Sequence, residues 1–245
     1  MPIVATDIKI YETKSTATGD GEAGGDGLGK YRSSDEITSG VSENVFDNVS
    51  AAESEAGDTE YRAIMIKNTH ATLSFINAKV WLAPASCTPM SDLTTQLANG
   101  GTETTVDVTD ASAFPTTGAF FVEDEEITYT GKSGNQFTGC TRGANGTSKT
   151  LHTVGTYVEH NQVRIYVEEP SNKTTGYIAS IADESTEPAG SPTWNAVYSF
   201  ATGLSIGTLA AGEFYGVWIR RKIPVGCQAK TGISYALSRK GETEE

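Results

Sequence analysis

Short alternations of apolar and polar residues run through most of this 245-residue chain. In Val4–Glu12, Ile8 and Ile10 alternate with Lys9 and Tyr11, which is the period-2 pattern of a strand with one buried face. Similar segments recur along the chain, and Gly, Thr and Ser separate them in the way that turns do. No amphipathic segment of helical length stands out. The pattern therefore predicts an all-β protein.

Two pairs of strongly apolar segments indicate β-hairpins. Glu60–Asn68 is followed, across a short turn, by Ala71–Ala83. Near the C terminus, Glu213–Ile223 is followed by Gly232–Arg239 across Pro224–Gly226. Because short turns connect antiparallel neighbours, we expect the two members of each pair to hydrogen-bond to each other. The first and last strands are candidates for sharing one sheet.

Between residues 92 and 160 the apolar segments become very short, and turns rich in Gly and Thr separate them. Longer segments resume at Gln162 and continue through Gly176–Asp183. This arrangement predicts a host domain of residues 1–91 and 161–245, with an inserted small β module of residues 92–160. The host segments fit one antiparallel β-sandwich of the jelly-roll or immunoglobulin-like type.

The segment 13–58 is polar, Gly-rich and acidic. Positions 1–60 carry 13 acidic and 4 basic residues, which accounts for most of the net charge of −13. A segment of this composition buries too little apolar surface to hold itself compact. It is therefore a long loop, an arm, or a segment that becomes ordered on a partner.

Composition and charge exclude several classes of function. The chain has 18 Lys and Arg against 31 Asp and Glu, and nucleic-acid binding needs clustered cations, so no nucleic-acid partner is expected. No run of about 18 apolar residues is present, so we expect no membrane-spanning helix. The N terminus lacks a basic region followed by an apolar stretch, which favours synthesis in the cytoplasm.

Three patterns match motifs of catalysis or ligand binding but lack the required context. Gly24–Lys30 reads G-x-x-x-x-G-K, yet Tyr31 stands where a phosphate-binding loop has Ser or Thr. Gly203–Gly207 has the form of a nucleophile elbow, although all three histidines precede it. The acidic spacing that starts at Asp20 ends with Tyr31, where a calcium loop has Glu. We therefore predict no catalytic residue, cofactor or metal site.

Complementary charges in distant parts of the chain suggest a surface for self-association. The acidic side chains belong to the segment 13–58, and the basic ones follow one another in a late strand. Because charge complementarity selects partner and register, we expect the acidic segment of one subunit to contact the basic strand of the next. An ordinary solvated face is the alternative. The candidate contacts are Asp20, Glu22, Asp26, Asp35, Glu36, Arg220, Arg221 and Lys222.

The cysteines, Cys87, Cys140 and Cys227, lie far apart and include no C-x-x-C pair of the kind that binds metals. Three cysteines in a chain of this length do not form a disulfide framework. Their odd number leaves at least one thiol unpaired within the chain. An intermolecular disulfide between identical subunits is therefore a second candidate contact.

Several segments resemble virion structural proteins of tailed bacteriophages. In those proteins an N-terminal strand and an acidic loop precede an E-Y-R strand, here Glu60–Arg62, and a late strand ends in W-x-R-R-x-(I/V)-P, here Trp218–Pro224. The insertion resembles a small β module that recurs in such proteins, with F-P-x-x-G, then E-x-I-x-Y-x-G, then F-x-G-C-x-R-G-x-N-G-T, then H. The matching positions are Phe114–Pro115, Glu126–Tyr129, Gly139–Gly143 and His152.

The resemblance implies a virion part with no defined enzymatic activity, in particular a capsid decoration or cement protein, or a neck or collar protein. Its expected partners are further copies of itself and other virion proteins, such as the major capsid or neck proteins, and its expected location is the virion. The alternative is a tail or baseplate protein that binds host-surface glycan through the inserted module. In that case Tyr129, Phe137 and Tyr157 would stack on sugar rings, although core positions in so small a module are the favoured interpretation of these three residues.

Overall fold

The computed structural model describes residues 2–41, 43–83, 89–227 and 236–243. Strands make up 42% of the structure and helices 5%, so the predicted all-β class is confirmed. The helical elements of the described residues are α1 (Ala51–Ala56) and single 3-10 turns at Ala5–Asp7 and Ala144–Gly146. The strands are β1 (Ile8–Lys14), β2 (Tyr31–Glu36), β3 (Asp58–Asn68), β4 (Phe75–Leu82), β5 (Met90–Asp92), β6 (Thr105–Asp107), β7 (Gly118–Val122), β8 (Glu125–Tyr129), β9 (Gly131–Ser133), β10 (Gln136–Thr138), β11 (Tyr157–Glu159), β12 (Gln162–Glu168), β13 (Leu204–Leu209), β14 (Phe214–Ile223) and β15 (Leu237–Thr243).

Two antiparallel sheets pack face to face as a sandwich. The larger sheet has the strand order β12-β14-β3-β1-β2, and the smaller sheet has the order β13-β4-β15. Between them lies one apolar core, to which the larger sheet contributes Ile64 and Val217 and the smaller sheet contributes Val80 and Ile206. Successive side chains of a strand point to opposite faces, so these residues represent the inward positions of their strands.

The outer face of the larger sheet is also buried. Trp218 and Met65 lie on this face, and Ile178 and Ile181 cover them. The covering segment is irregular, so the apolar segment Gly176–Asp183 is not a strand. Its backbone bonds to an equally irregular stretch, since Ile178 N and Ile181 N donate to the carbonyl oxygens of residues 30 and 28. Apolar spacing alone does not distinguish such a cover from a strand.

In the described ranges, neither predicted pair of segments forms a hairpin. β3 pairs with β1 and β14 in the larger sheet, whereas β4 pairs with β13 and β15 in the smaller one. β14 and β15 lie in different sheets, and so do β1 and β15, the first and last strands. Part of the connection between β14 and β15, residues 228–235, lies outside the described residues.

A buried asparagine explains why the first connection crosses the core. The Asn68 side chain donates to the carbonyl oxygens of Leu73 at 2.8 Å and Leu209 at 2.9 Å, and it accepts a hydrogen bond from the backbone of His70. These bonds hold an arch that is wider than a hairpin turn. As a result, the apolar faces of β3 and β4 meet across the sandwich and not side by side.

The segment 92–160 contains a core of its own. Two small sheets, ordered β5-β11-β7-β8 and β6-β10-β9, enclose a cluster of buried residues drawn only from positions 93–158. The rings of Phe114, Phe120, Tyr129 and Phe137 form its centre, with centroids 4.5–5.6 Å apart in the contacting pairs. The first strand of this unit already begins at Met90. We refer to it as the module.

The acidic segment 13–58 is a long loop that lies along its own sandwich. It supplies β2, the edge strand next to β1. Asp35 accepts hydrogen bonds from the backbone of Gly24 and Gly25, each at 2.7 Å, and Asp26 accepts them from Ser15 at 3.0 Å. Acidic side chains therefore serve as acceptors for the backbone of a loop that has little apolar surface to bury.

Candidate functional site

Arg221, in the predicted basic stretch, is buried in an ion pair within its own chain. Its guanidinium contacts both carboxylate oxygens of Glu60, with Nη2 2.9 Å from Oε1. Nη1 donates to the carbonyl oxygen of Asp47 at 2.8 Å, and the guanidinium carbon lies 4.6 Å from the centre of the Phe46 ring. Burial raises the pKa of Glu60, and Arg221 opposes that shift. Arg221 thus ties the acidic segment to β14 of the same molecule.

Arg220 and Lys222 occupy the opposite face of β14, because side chains alternate along a strand. Arg220 Nη2 donates to Gln162 Oε1 at 2.7 Å, and its guanidinium lies 5.4 Å from the centre of a Trp194 ring. Burial lowers the pKa of Arg220. Lys222 Nζ lies 4.9 Å from the centre of the Phe121 ring in the module. Both cations therefore contact other parts of their own chain.

The five acidic candidates also have partners in their own chain. Asp20 forms an ion pair with Arg32 at 2.8 Å, and Glu36 forms one with Lys9 at 2.7 Å. Glu22 accepts a hydrogen bond from the backbone of Thr18, and Asp26 and Asp35 hold the loop described above. The structure brings Arg221 to two other carboxylates, those of Glu60 and Asp47. A role of these residues between subunits stays a prediction.

The thiols of Cys140 and Cys227 are free and buried. Cys87 lies outside the described residues. Burial raises the pKa of Cys140 to about 12 and also raises the pKa of Cys227. The intermolecular disulfide stays a prediction. If Cys140 or Cys227 forms that disulfide, its thiol must first leave its buried position.

Arg142, from the motif F-x-G-C-x-R-G-x-N-G-T, is the centre of a buried network in the module. Its guanidinium forms two hydrogen bonds with the Glu125 carboxylate, at 2.9 and 2.7 Å, and one with Glu103 at 2.9 Å. It also donates to the carbonyl oxygens of Ala98 at 2.6 Å and Thr150 at 2.5 Å. Arg142 therefore joins the connection between β5 and β6, the connection between β10 and β11, and strand β8.

His152, the last residue of the motif, extends this network. Its Nε2 lies 2.8 Å from a Glu125 oxygen, and its Nδ1 lies 2.8 Å from a Glu123 oxygen. The backbone of Gly143 donates to Glu125 as well, at 3.0 Å. Burial by itself raises the pKa of Glu125, but the bonds from Arg142 and His152 outweigh it and hold that pKa below its ordinary value. The charged part of the motif thus stabilises the module internally.

The aromatic residues proposed for sugar stacking are mostly internal. Tyr129 and Phe137 are buried in the module core, and Tyr129 donates to the carbonyl oxygen of Pro115 at 2.9 Å. Tyr157 is half-buried and packs against Tyr198, with ring centroids 4.6 Å apart. Stacking on an external sugar by Tyr129 or Phe137 is therefore contradicted by their burial, which follows from the need of so small a unit for an aromatic core.

The module carries a polar cleft that the sequence reasoning did not identify. Its volume is about 570 Å³, and residues 95–98, 101–105 and 107 line it. The lining offers threonine hydroxyls, the Gln96 amide and the carboxylates of Glu103 and Asp107. Hydroxyl and amide groups of this kind form hydrogen bonds with polar ligands. A clue in the sequence is the density of threonine around residues 94–105.

One group of carboxylates has the spacing of a metal site. Oxygen atoms of Glu53, Asp58 and Glu60 lie within 4.8 Å of one another. Arg221 already supplies a positive charge to Glu60 in the contact described above. An ion pair therefore accounts for the buried member of the group, and we assign no metal to it.

Buried polar contacts join the module to the sandwich. Arg164 of β12 forms an ion pair with Glu159 of the module at 2.8 Å, and it donates to the carbonyl oxygen of Glu123 at 3.0 Å. Gln162 donates to the same carbonyl at 2.6 Å and to Asp124 at 3.0 Å. The hydrogen bonds of Gln162 and Arg164 to residues 123 and 124 join positions about 40 apart, so local sequence patterns did not predict them.

Comparisons of the chain with protein-family models, with curated proteins and with solved structures find no match. No helix in the described part of the chain has the length and hydropathy needed to cross a membrane.

Proposed function

We propose that this chain is a non-enzymatic structural protein of a tailed-bacteriophage virion. It acts through contacts between subunits, as a capsid decoration or cement protein or as a neck or collar protein. The motif residues of the module support this function together with their geometry. Arg142 and His152, which the sequence marks as characteristic, are used to hold the module together.

The junction between module and sandwich is the observation that carries the proposal. The module has its own core and is attached through two chain connections, a buried Arg164–Glu159 ion pair and the hydrogen bonds of Gln162. Buried ion pairs with good geometry restrict orientation, because leaving the partner unpaired is costly. The chain therefore presents two bodies at one fixed angle. Such rigidity suits a part that must fit a regular array of other subunits.

Antibody–gold labelling of intact particles tests the proposal. Antibodies raised against the purified chain are applied to phage particles in which mass spectrometry detects the chain. Label over the head or neck is the expected result. Absence of the chain from purified particles of a phage whose infected host produces it overturns the proposal.

Glycan recognition by a tail or baseplate protein is the second candidate, and the polar cleft of the module favours it. If it is correct, host polysaccharide binds the chain in calorimetry, and Gln96→Ala weakens binding by about tenfold, the effect of one lost hydrogen bond. Ser148→Ala, in an exposed loop of the same module, serves as the control. Gold label at the tail tip agrees with glycan recognition. Calorimetric titrations that detect no polysaccharide binding by the natural chain or by the Ser148→Ala control count against it.

A further inference from the structure

The outer face of the smaller sheet carries an exposed aromatic ring between two lysines. Phe200 is 40% exposed, and the Nζ atoms of Lys79 and Lys240 lie 5.4 and 5.2 Å from the centre of its ring. Trp81 packs against the same ring at a steep angle, with centroids 5.8 Å apart. We call these four residues the basic face.

The charges of the basic face are not compensated within the described chain. Lys79 and Lys240 are direct neighbours on adjacent strands, and like charges in such positions destabilise a sheet. No ion pair of 4.0 Å or less in the described residues involves either lysine. Glu242, the next acidic residue of β15, bonds to the Asn77 amide at 2.9 Å. In a chain with a net charge of −13, this arrangement fits an anionic partner.

The same chain carries a surface of the opposite sign around α1. Glu53 and Glu55 lie on this helix, Asp58 follows it, and Asp47 precedes it with 63% of its side chain exposed. The carboxylates of Glu53 and Asp58 lie within 4.8 Å of each other and of Glu60. Arg221 pairs with Asp47 and Glu60, and within the described residues Glu53, Glu55 and Asp58 form no ion pair of 4.0 Å or less. We call Asp47, Glu53, Glu55 and Asp58 the acidic surface.

We propose that the basic face of one copy of the chain binds the acidic surface of a second copy. Opposite charges of this density select each other and fix the register of the contact. Phe200 and Trp81 supply the apolar area that a purely ionic contact lacks, since aromatic residues are typical of the centres of interfaces. This inference rests on the subunit contacts of the proposed function, and it replaces Arg220 and Arg221, which are occupied internally, by Lys79 and Lys240.

The two surfaces are made of different residues, so the contact is heterologous. Each copy that binds leaves one free surface of each sign, and further copies add in the same rotational sense. Such a contact produces a ring when the rotation closes and a row when it does not. A ring is the form that a neck or collar requires.

Two variants of the full chain separate the surfaces. Lys79→Gln/Lys240→Gln removes the charge of the basic face, and Glu53→Gln/Glu55→Gln removes charge from the acidic surface. Gln at position 53 keeps the capping bond that Glu53 makes to the backbone of Ser50. Lys149→Gln, at an exposed position of the module, is the control. Circular dichroism and thermal unfolding verify that every variant folds.

Sedimentation velocity at low and high salt measures assembly. The natural chain and the control form oligomers at about 50 mM salt that dissociate at about 500 mM, because salt screens such contacts. Each variant by itself is monomeric, and its apparent dissociation constant rises by at least about tenfold. A mixture of the two variants forms only one-to-one dimers, since one complementary pair of surfaces remains.

The inference is overturned by a natural chain that is monomeric at low salt, by variants that assemble like the natural chain, or by a mixture that fails to dimerise. Loss of assembly in the lysine variant alone also overturns it, because the acidic surface is then not the partner. These outcomes are distinct from the test of the virion function. Gold label on particles supports the virion function even if the sedimentation experiments disprove this contact. Sedimentation can likewise demonstrate the contact even if the particles carry no label.

Discussion

Two buried arginines, Arg142 in the module and Arg221 in the sandwich, perform the same task with different consequences. Each holds a glutamate with two hydrogen bonds and also binds loop carbonyl groups. Glu125 receives further bonds from Gly143 and His152, and its pKa is lowered. For Glu60, burial dominates and Asp47 adds repulsion, so its pKa is raised. Glu125 thus has more donors than Glu60, and Glu60 also has a neighbouring negative charge, which agrees with the opposite directions of their pKa shifts.

Replacing Arg142 by Met gives the largest expected effect. Glu125 then remains as a buried charge that has lost its main partner, and such a loss typically costs about 3–5 kcal/mol of unfolding free energy. Chemical denaturation followed by the fluorescence of the module tyrosines measures it. Lys149→Met, on the surface of the same module, is the matched control and leaves the midpoint in place. Equal midpoints for the two variants contradict a structural role for the network.

Arg221→Met is expected to cost less, about 2–3 kcal/mol, since Glu60 can take up a proton more readily than Glu125. The loss is also local, because Arg221 fastens residues 46 and 47 to β14. Limited proteolysis should therefore cut the segment 43–57 first. Arg221→Lys keeps the positive charge but loses the two-point contact with Glu60. Its unfolding free energy should lie between those of the natural chain and of Arg221→Met. Cleavage first within the module argues against this assignment.

The two glutamates should respond to acid in opposite directions. The folded pKa of Glu125 is below its ordinary value of 4.5, so its contribution to stability is present above that pH and is lost as the pH falls through the folded pKa. The folded pKa of Glu60 is above 4.5, so protonation on acidification favours the folded state. Unfolding free energies measured from pH 7 to 3 test this. Glu125→Gln should flatten the acid limb of the curve, and Glu60→Gln should steepen the overall fall.

Glu36→Gln should have the smallest effect, with a denaturation midpoint unchanged within error. The Lys9–Glu36 ion pair has side chains 37% and 44% exposed, and water screens exposed pairs. This variant is the surface reference for the two buried pairs. If Glu36→Gln shifts the midpoint as much as Arg221→Met does, solvent exposure does not explain the difference in strength between surface and buried ion pairs.

The strands themselves were largely predictable. β1, β3, β4 and β14 lie within or close to the segments that alternation indicated, and the all-β class followed from composition and period. Their pairing was not predictable, because alternation marks which side of a strand is apolar without marking which strand lies beside it. The arch between β3 and β4, which the Asn68 side chain bonds across, is a tertiary contact that alternation does not reveal.

For the candidate site, the charges were visible in the sequence and their partners were not. Arg220 and Arg221 were identified as cations for a neighbouring subunit, yet Gln162 and Glu60 of the same chain contact them. Lys79 was overlooked, although it precedes Trp81 by two positions and so shares the polar side of β4. Its significance depends on Lys240, which is 161 positions away and becomes a neighbour only in the sheet.

The sequence by itself determined the class of the fold, the position of the strands and the abundance of acidic groups, because these depend on local spacing and on composition. Only the tertiary structure decided which charges are neutralised inside the molecule and which remain at its surface. The physical reason is that charge compensation acts over a few ångströms in space. Folding places Glu60 beside Arg221, and it leaves Lys79 and Lys240 beside each other.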